Sequence, residues 1–131
     1  MTSDELDAWA TAYIVFQSAS RTERYPAVGE HPCWWAVNKL FDNSDNPVGQ
    51  EESWKAILEI LSRNPSKSVL AVLAAGALED LIEHAGPRFV DRIVEQAKDD
   101  LAFRALLQGV WESGPQDVWA RVERASRGDF D

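Results

Sequence analysis

Apolar residues return along this chain at three- and four-residue intervals, and the period is plainest between Ser66 and Trp111. Val69, Val72 and Leu73 are spaced i, i+3, i+4, and Leu78, Leu81 and Ile82 repeat the pattern. Such spacing lines one face of an α-helix. Gly76 interrupts it. A Gly inside a helix costs roughly 1 kcal/mol against Ala, so a break between two short helices is expected there. Gly86 followed by Pro87 reads as a stop and a restart. Phe89, Val90, Ile93, Val94 and Ala97 then share a face, and after a cap at Asp99 so do Phe103, Leu106, Leu107 and Val110. None of these faces can be buried alone, so the helices must stack.

The flanking segments follow the same rule. Thr2 and Glu5 have capping-box spacing ahead of Leu6, Trp9, Ala10 and Tyr13. Ser18 to Glu30 has no period and holds Pro26 and Gly29, so it reads as a long connection carrying the basic pair Arg21 and Arg24. Pro32 opens a helix through Trp34, Trp35 and Leu40; Asn46 and Pro47 cap and start the one containing Trp54, Ile57, Leu58 and Leu61. A last helix after Pro115 turns Val118, Trp119 and Val122 inward, and the tail from Arg127 is expected to fray. The expected helices cover 2–17, 32–41, 47–62, 66–75, 77–85, 87–98, 100–111 and 115–126. No usable run alternates with period 2, so no strand is expected. The fold class is all-α: a single domain, 1–131, of roughly seven or eight short helices in an irregular, HEAT-like stack.

Composition narrows the function classes. With 131 residues, 45% of them hydrophobic, the chain can bury one core. The formal net charge of -9 argues against nucleic acid or an anionic membrane as partner and is compatible with a basic protein. Cys33 is the one cysteine, which excludes an internal disulfide and a thiolate metal cage. The start, MTSDELDAWA, is acidic and lacks the apolar region of a signal peptide, and no apolar run approaches the ~20 residues of a membrane span. A cytoplasmic protein is expected.

The segments HPCWWAVNKL, ESWKAILEIL, VLAVLAAGALEDLIEHAG, FVDRI and FRALLQGVW occur in that order. Together they resemble an uncharacterised family of small bacterial proteins, a domain of unknown function, over about Trp9 to Val122. The most specific parts are Ala74-Ala75-Gly76 leading into Leu78-Glu79-Asp80-Leu81, with Gly86 after it, and Gly109-Val110-Trp111. The resemblance implies a small all-helical domain and brings no activity, so it assigns no catalytic residue.

Several side chains remain as candidates. Asp80 and His84 stand i, i+4 with Glu83 adjacent, a spacing that can hold a metal or orient an imidazole. A zinc site needs a third ligand, and the other histidine, His31, is far away in sequence. A surface ion pair near a helix end accounts for the same residues. Glu79 begins a helix between apolar segments, where it can accept backbone N–H groups or pair with Arg104 or Arg88. Trp9, Trp54 and Trp119 fall on core positions. Trp34, Trp35 and Trp111 fall near segment ends, where an aromatic can be half buried and serve in binding. No cofactor or metal is expected. The preferred reading is a non-catalytic protein-binding module, in its sharpest form an immunity- or antitoxin-type inhibitor with an acidic face for a basic toxin. A homodimerising subunit is another reading. The alternative from a different class is a small enzyme or ligand-binding protein with a groove around Glu79, Asp80, His84, Trp34 and Trp111.

Overall fold

The computed structural model describes residues 1–19 and 31–130, so the expected Arg21–Arg24 cluster lies outside the described residues. Among the described residues every regular element is helical. They are α1 (Ser3–Ser18), α2 (Trp34–Asp42), α3 (Pro47–Ser62), α4 (Lys67–Leu73), a π-helical turn (Ala74–Leu78), α5 (Glu79–Asp99), α6 (Leu101–Leu107) and α7 (Gln116–Ser126). The protein is all-α. Its helices gather into two compact units, Met1–Val69 and Leu70–Asp131. No described helix is long and apolar enough to cross a membrane.

In the first unit α1 packs on α2 and α3. It opens with a capping box: Thr2 Oγ1 accepts the Glu5 N–H at 3.1 Å and Glu5 Oε1 accepts the Thr2 N–H at 3.1 Å. Those Thr2 hydrogen bonds hold the Glu5 carboxyl below its ordinary pKa. Trp9, Tyr13 and Phe16 are buried, and the Trp9 indole N–H donates to the Ala36 carbonyl at 2.8 Å. Arg63, at the end of α3, reaches back to α1. It donates to Asp7 at 2.6 Å and Thr11 Oγ1 at 2.7 Å, and to Glu59 on its own helix at 3.2 Å. Asp7, foremost among these, raises the Arg63 pKa. α2 starts at Trp34 rather than Pro32. The reason is local: His31 Nδ1 accepts the Cys33 N–H at 3.0 Å, and the His31 carbonyl accepts the Trp34 N–H at 3.0 Å, closing a turn first.

In the second unit α5 packs against α6 and α7, and α6 against α7. Leu73, Leu78, Leu81, Ile82, Phe89, Ile93, Phe103, Leu107 and Val122 are buried. The break expected at Gly76 is absent. The chain stays helical from α4 into α5 through the π turn. At about 100° per residue, a straight α-helix would carry Leu78 roughly 140° round from Leu73. The wider turn, closed by i→i+5 bonds, brings Leu78 back towards the same core. The interruption comes later, at Ala85, whose φ of -141° and ψ of 20° are non-helical; Gly86 and Pro87 then resume the helix. α6 is shorter than the 100–111 expected. Its end tightens into i→i+3 bonds from Gln108, Gly109 and Val110 to Ala105, Leu106 and Leu107 at 3.2, 3.0 and 3.1 Å. Its cap is Asp100, not Asp99, with Oδ1 accepting the Phe103 N–H at 3.1 Å.

The described end of the chain makes contacts of its own. The Asp129 N–H donates to the Arg124 carbonyl at 2.9 Å. Phe130 lies under the guanidinium of Arg104, 5.0 Å from its ring centroid. That contact is a cation–π interaction.

Candidate functional site

The loop joining α6 to α7 is braced by two carboxylates one helical turn apart on α5. Glu79 Oε1 accepts the Trp111 N–H at 3.0 Å, and Glu83 Oε2 accepts the Gly114 N–H at 2.7 Å. Carboxylates at i, i+4 repel each other, and each donor offsets that cost by meeting a negative oxygen. Gly114 has φ of +72°, and a Cβ there would stand 3.0 Å from the Ile82 carbonyl oxygen. Only glycine combines that backbone conformation with so close an approach. The Ser113 hydroxyl, itself buried, donates to the Trp111 carbonyl at 2.9 Å. The braced loop holds Trp111 out, 76% exposed.

Of the residues singled out in the sequence, Glu79, Asp80, Glu83, His84 and Trp111 all belong to the second unit, on α5 and this loop. Glu79 pairs with neither arginine expected of it. The Arg104 guanidinium instead donates to the carbonyls of Ala97 at 3.1 Å and Lys98 at 3.4 Å, near the C-terminal end of α5. His84 Nδ1 lies 3.1 Å from Asp80 Oδ1 and 2.9 Å from the Asp80 carbonyl. That geometry is the local pair expected from i, i+4 spacing. Among the described residues no three His, Cys, Asp or Glu side chains are grouped to hold a metal.

Trp34 and Trp35 belong to the first unit. Trp34 is half-buried between Phe16, at 5.5 Å, and Phe41, at 6.5 Å. Trp35 is exposed. The adjacent indoles thus divide between the margin of the core and solvent. Cys33 meets His31 through its backbone N–H.

Periodicity missed a cleft beside the loop. Leu107, Val110, Trp119 and Val122 wall a cleft of about 230 Å³, and Gln108, Glu123 and Ser126 complete its lining. Trp119, placed inward by its spacing, is half-buried on that wall. The Gln108 side chain donates to the Ser126 carbonyl at 3.1 Å and ties the end of α6 to α7.

No curated protein and no solved structure matches the chain. A family model does, over residues 5–130. The chain therefore belongs to that family, a family of unknown function named DUF6869.

Proposed function

We propose that this protein is a non-catalytic protein-binding module of the cytoplasm, and in its sharpest form an acidic inhibitor of a basic protein, as immunity proteins and antitoxins are. The observation that carries the reading is Trp111, 76% exposed on a loop fixed at two backbone positions by Glu79 and Glu83. Tryptophan is enriched among the residues that dominate binding energy. An anchor already held in place loses little conformational freedom when it binds. The same bonds weigh against a catalytic groove, because one oxygen of each of these carboxylates is engaged with the backbone.

Affinity capture tests this. The full chain, immobilised, should retain a specific protein from an extract of its source organism. Trp111→Ala should lower that affinity about 30-fold, the usual size of a strong anchor, and Trp111→Phe should recover part of it. Retention unchanged by Trp111→Ala, or no protein retained by the natural sequence, would sink the reading.

A further inference from the structure

We propose that the exposed Trp111 receives an arginine of the partner, its guanidinium stacked on the indole and hydrogen-bonded to the carboxylates of Glu79 and Glu112. This rests on the reading that the protein binds a basic partner, and it names the side chain that is recognised. Trp111 is 76% exposed on a loop whose backbone is fixed at two positions. An exposed indole can cover apolar surface or take a cation on its face, and it attracts cations better than any other aromatic side chain. The residues around it decide between the two. Glu79 gives one oxygen to the Trp111 N–H at 3.0 Å, so its carboxylate is held beside this loop with the second oxygen left over. Glu112 follows directly and is exposed. Glu83, one turn along α5 from Glu79, is fixed to the same loop through Gly114.

No lysine or arginine answers these charges: among the described residues none forms an ion pair with Glu79, Glu83 or Glu112. The fold treats another pair of carboxylates differently. Asp7 of α1 and Glu59 of α3 share Arg63, which meets them at 2.6 and 3.2 Å. At the Trp111 loop the backbone N–H groups each take one oxygen, and the negative charge remains. A purely apolar occupant would strip water from that charge and return nothing. A cation compensates it, and the net charge of -9 draws one in. Guanidinium suits the place better than ammonium. A flat fork can lie on an indole while its N–H groups reach carboxylate oxygens in its own plane, and an ammonium cannot do both. Arginine and tryptophan are also two of the residue types that dominate interface energies.

The probe is N-acetyl-arginine methylamide. It is compared with the lysine analogue, which has the same charge, and the citrulline analogue, which has a similar shape and no charge. Each is titrated at low salt into the isotope-labelled full chain and followed by NMR at the Trp111 indole and the amides of 110–114. Arginine should give saturable shifts confined to this loop and Glu79, half-complete near ~10 mM. Lysine should bind at least about two-fold more weakly, and citrulline at least about five-fold. Glu112→Gln touches neither backbone bond of the loop and should weaken arginine about three-fold. Trp111→Leu, read at the Glu112 amide, should abolish saturable binding. In the captured partner, one arginine should lose most of its effect on affinity once Trp111 is replaced by alanine. Citrulline binding as well as arginine, lysine binding better, or shifts spread over acidic residues elsewhere overturns the proposal. A partner that needs Trp111 but has no arginine coupled to it also overturns it, while leaving the binding function standing. Capture of no protein at all removes the function and with it the partner's arginine.

Discussion

Glu79 and Glu83 show how one residue type can look catalytic in a sequence and be structural in the fold. Each gives a carboxylate oxygen to a loop N–H more than thirty positions away. Hydrogen bonds to a charged group contribute ~1.5–3 kcal/mol. Glu79→Ala should therefore speed amide hydrogen exchange at Trp111 by about ten-fold or more, and Glu83→Ala should do the same at Gly114. Glu79→Gln, which keeps an acceptor, should protect Trp111 better than alanine does. Exchange unchanged in the alanine variants would show that the loop is held by Ser113 and Gly114 alone. That Glu79 is a backbone acceptor was legible in the sequence; its partner was not. Spacing rules reach one helical turn and name neighbours on the same helix, whereas Trp111 comes into range only when α5, α6 and α7 pack.

Tyr13 is a second case. Its ring is buried in α1, 2% exposed, and burial pushes the phenol well above its ordinary pKa despite a hydrogen bond with Gln17. The folded state holds the proton more tightly than the unfolded chain, whose tyrosines ionise near pH ~10. The stabilisation is complete below that pH and is lost as pH rises from it towards the folded value. Denaturant midpoints measured from pH 8 to pH 11 should fall for the natural sequence and fall less for Tyr13→Phe. Parallel curves would place the phenol in water.

At the scale of an element, the π turn is the feature that the apolar pattern announces without resolving. Leu73 and Leu78 are out of phase for one straight α-helix, and two arrangements repair that: a break or an inserted residue. The sequence reads as a break because Gly76 is a poor helix residue. The structure takes the insertion, and Gly76 sits on its outer side with open space where a Cβ would be. A π turn of this kind is one residue more than an α-helix needs. Deleting Gly76 should convert it to α-helix while Leu73, Leu78, Leu81 and Ile82 keep their core positions. The melting temperature should shift by only a few degrees. Deleting exposed Asp91 from regular α5 should instead rotate Ile93 and Ala97 out of the core by about 100° and unfold the unit. Gly76→Ala should stabilise by about 0.5–1 kcal/mol. If both deletions are equally damaging, the inserted residue is needed for packing. The helix stop near Gly86 was easier to read, because glycine followed by proline can be accommodated only at a kink or an end, and Ala85 supplies the kink.

At the scale of the whole molecule the readable quantity is charge, and it bears on rate more than on fold. The net charge is -9, and part of it is explained by helix starts alone, where Asp4 and Glu5 of α1 and Asp117 of α7 meet the positive end of the macrodipole. Charge placed for that reason would not steer a partner. What separates steering from capping is the response of association to salt. For a basic partner of the kind proposed, the association rate should exceed that of neutral pairs by orders of magnitude at low ionic strength. It should fall steeply as salt approaches ~0.15 M, where the Debye length is about 8 Å. The dissociation rate should change far less, because it depends on contacts such as Trp111 that are already desolvated. Stopped-flow mixing across that range measures both. A flat association rate, or a partner of acidic composition, would remove charge from the basis of recognition and leave the exposed Trp111 to carry binding through apolar contact.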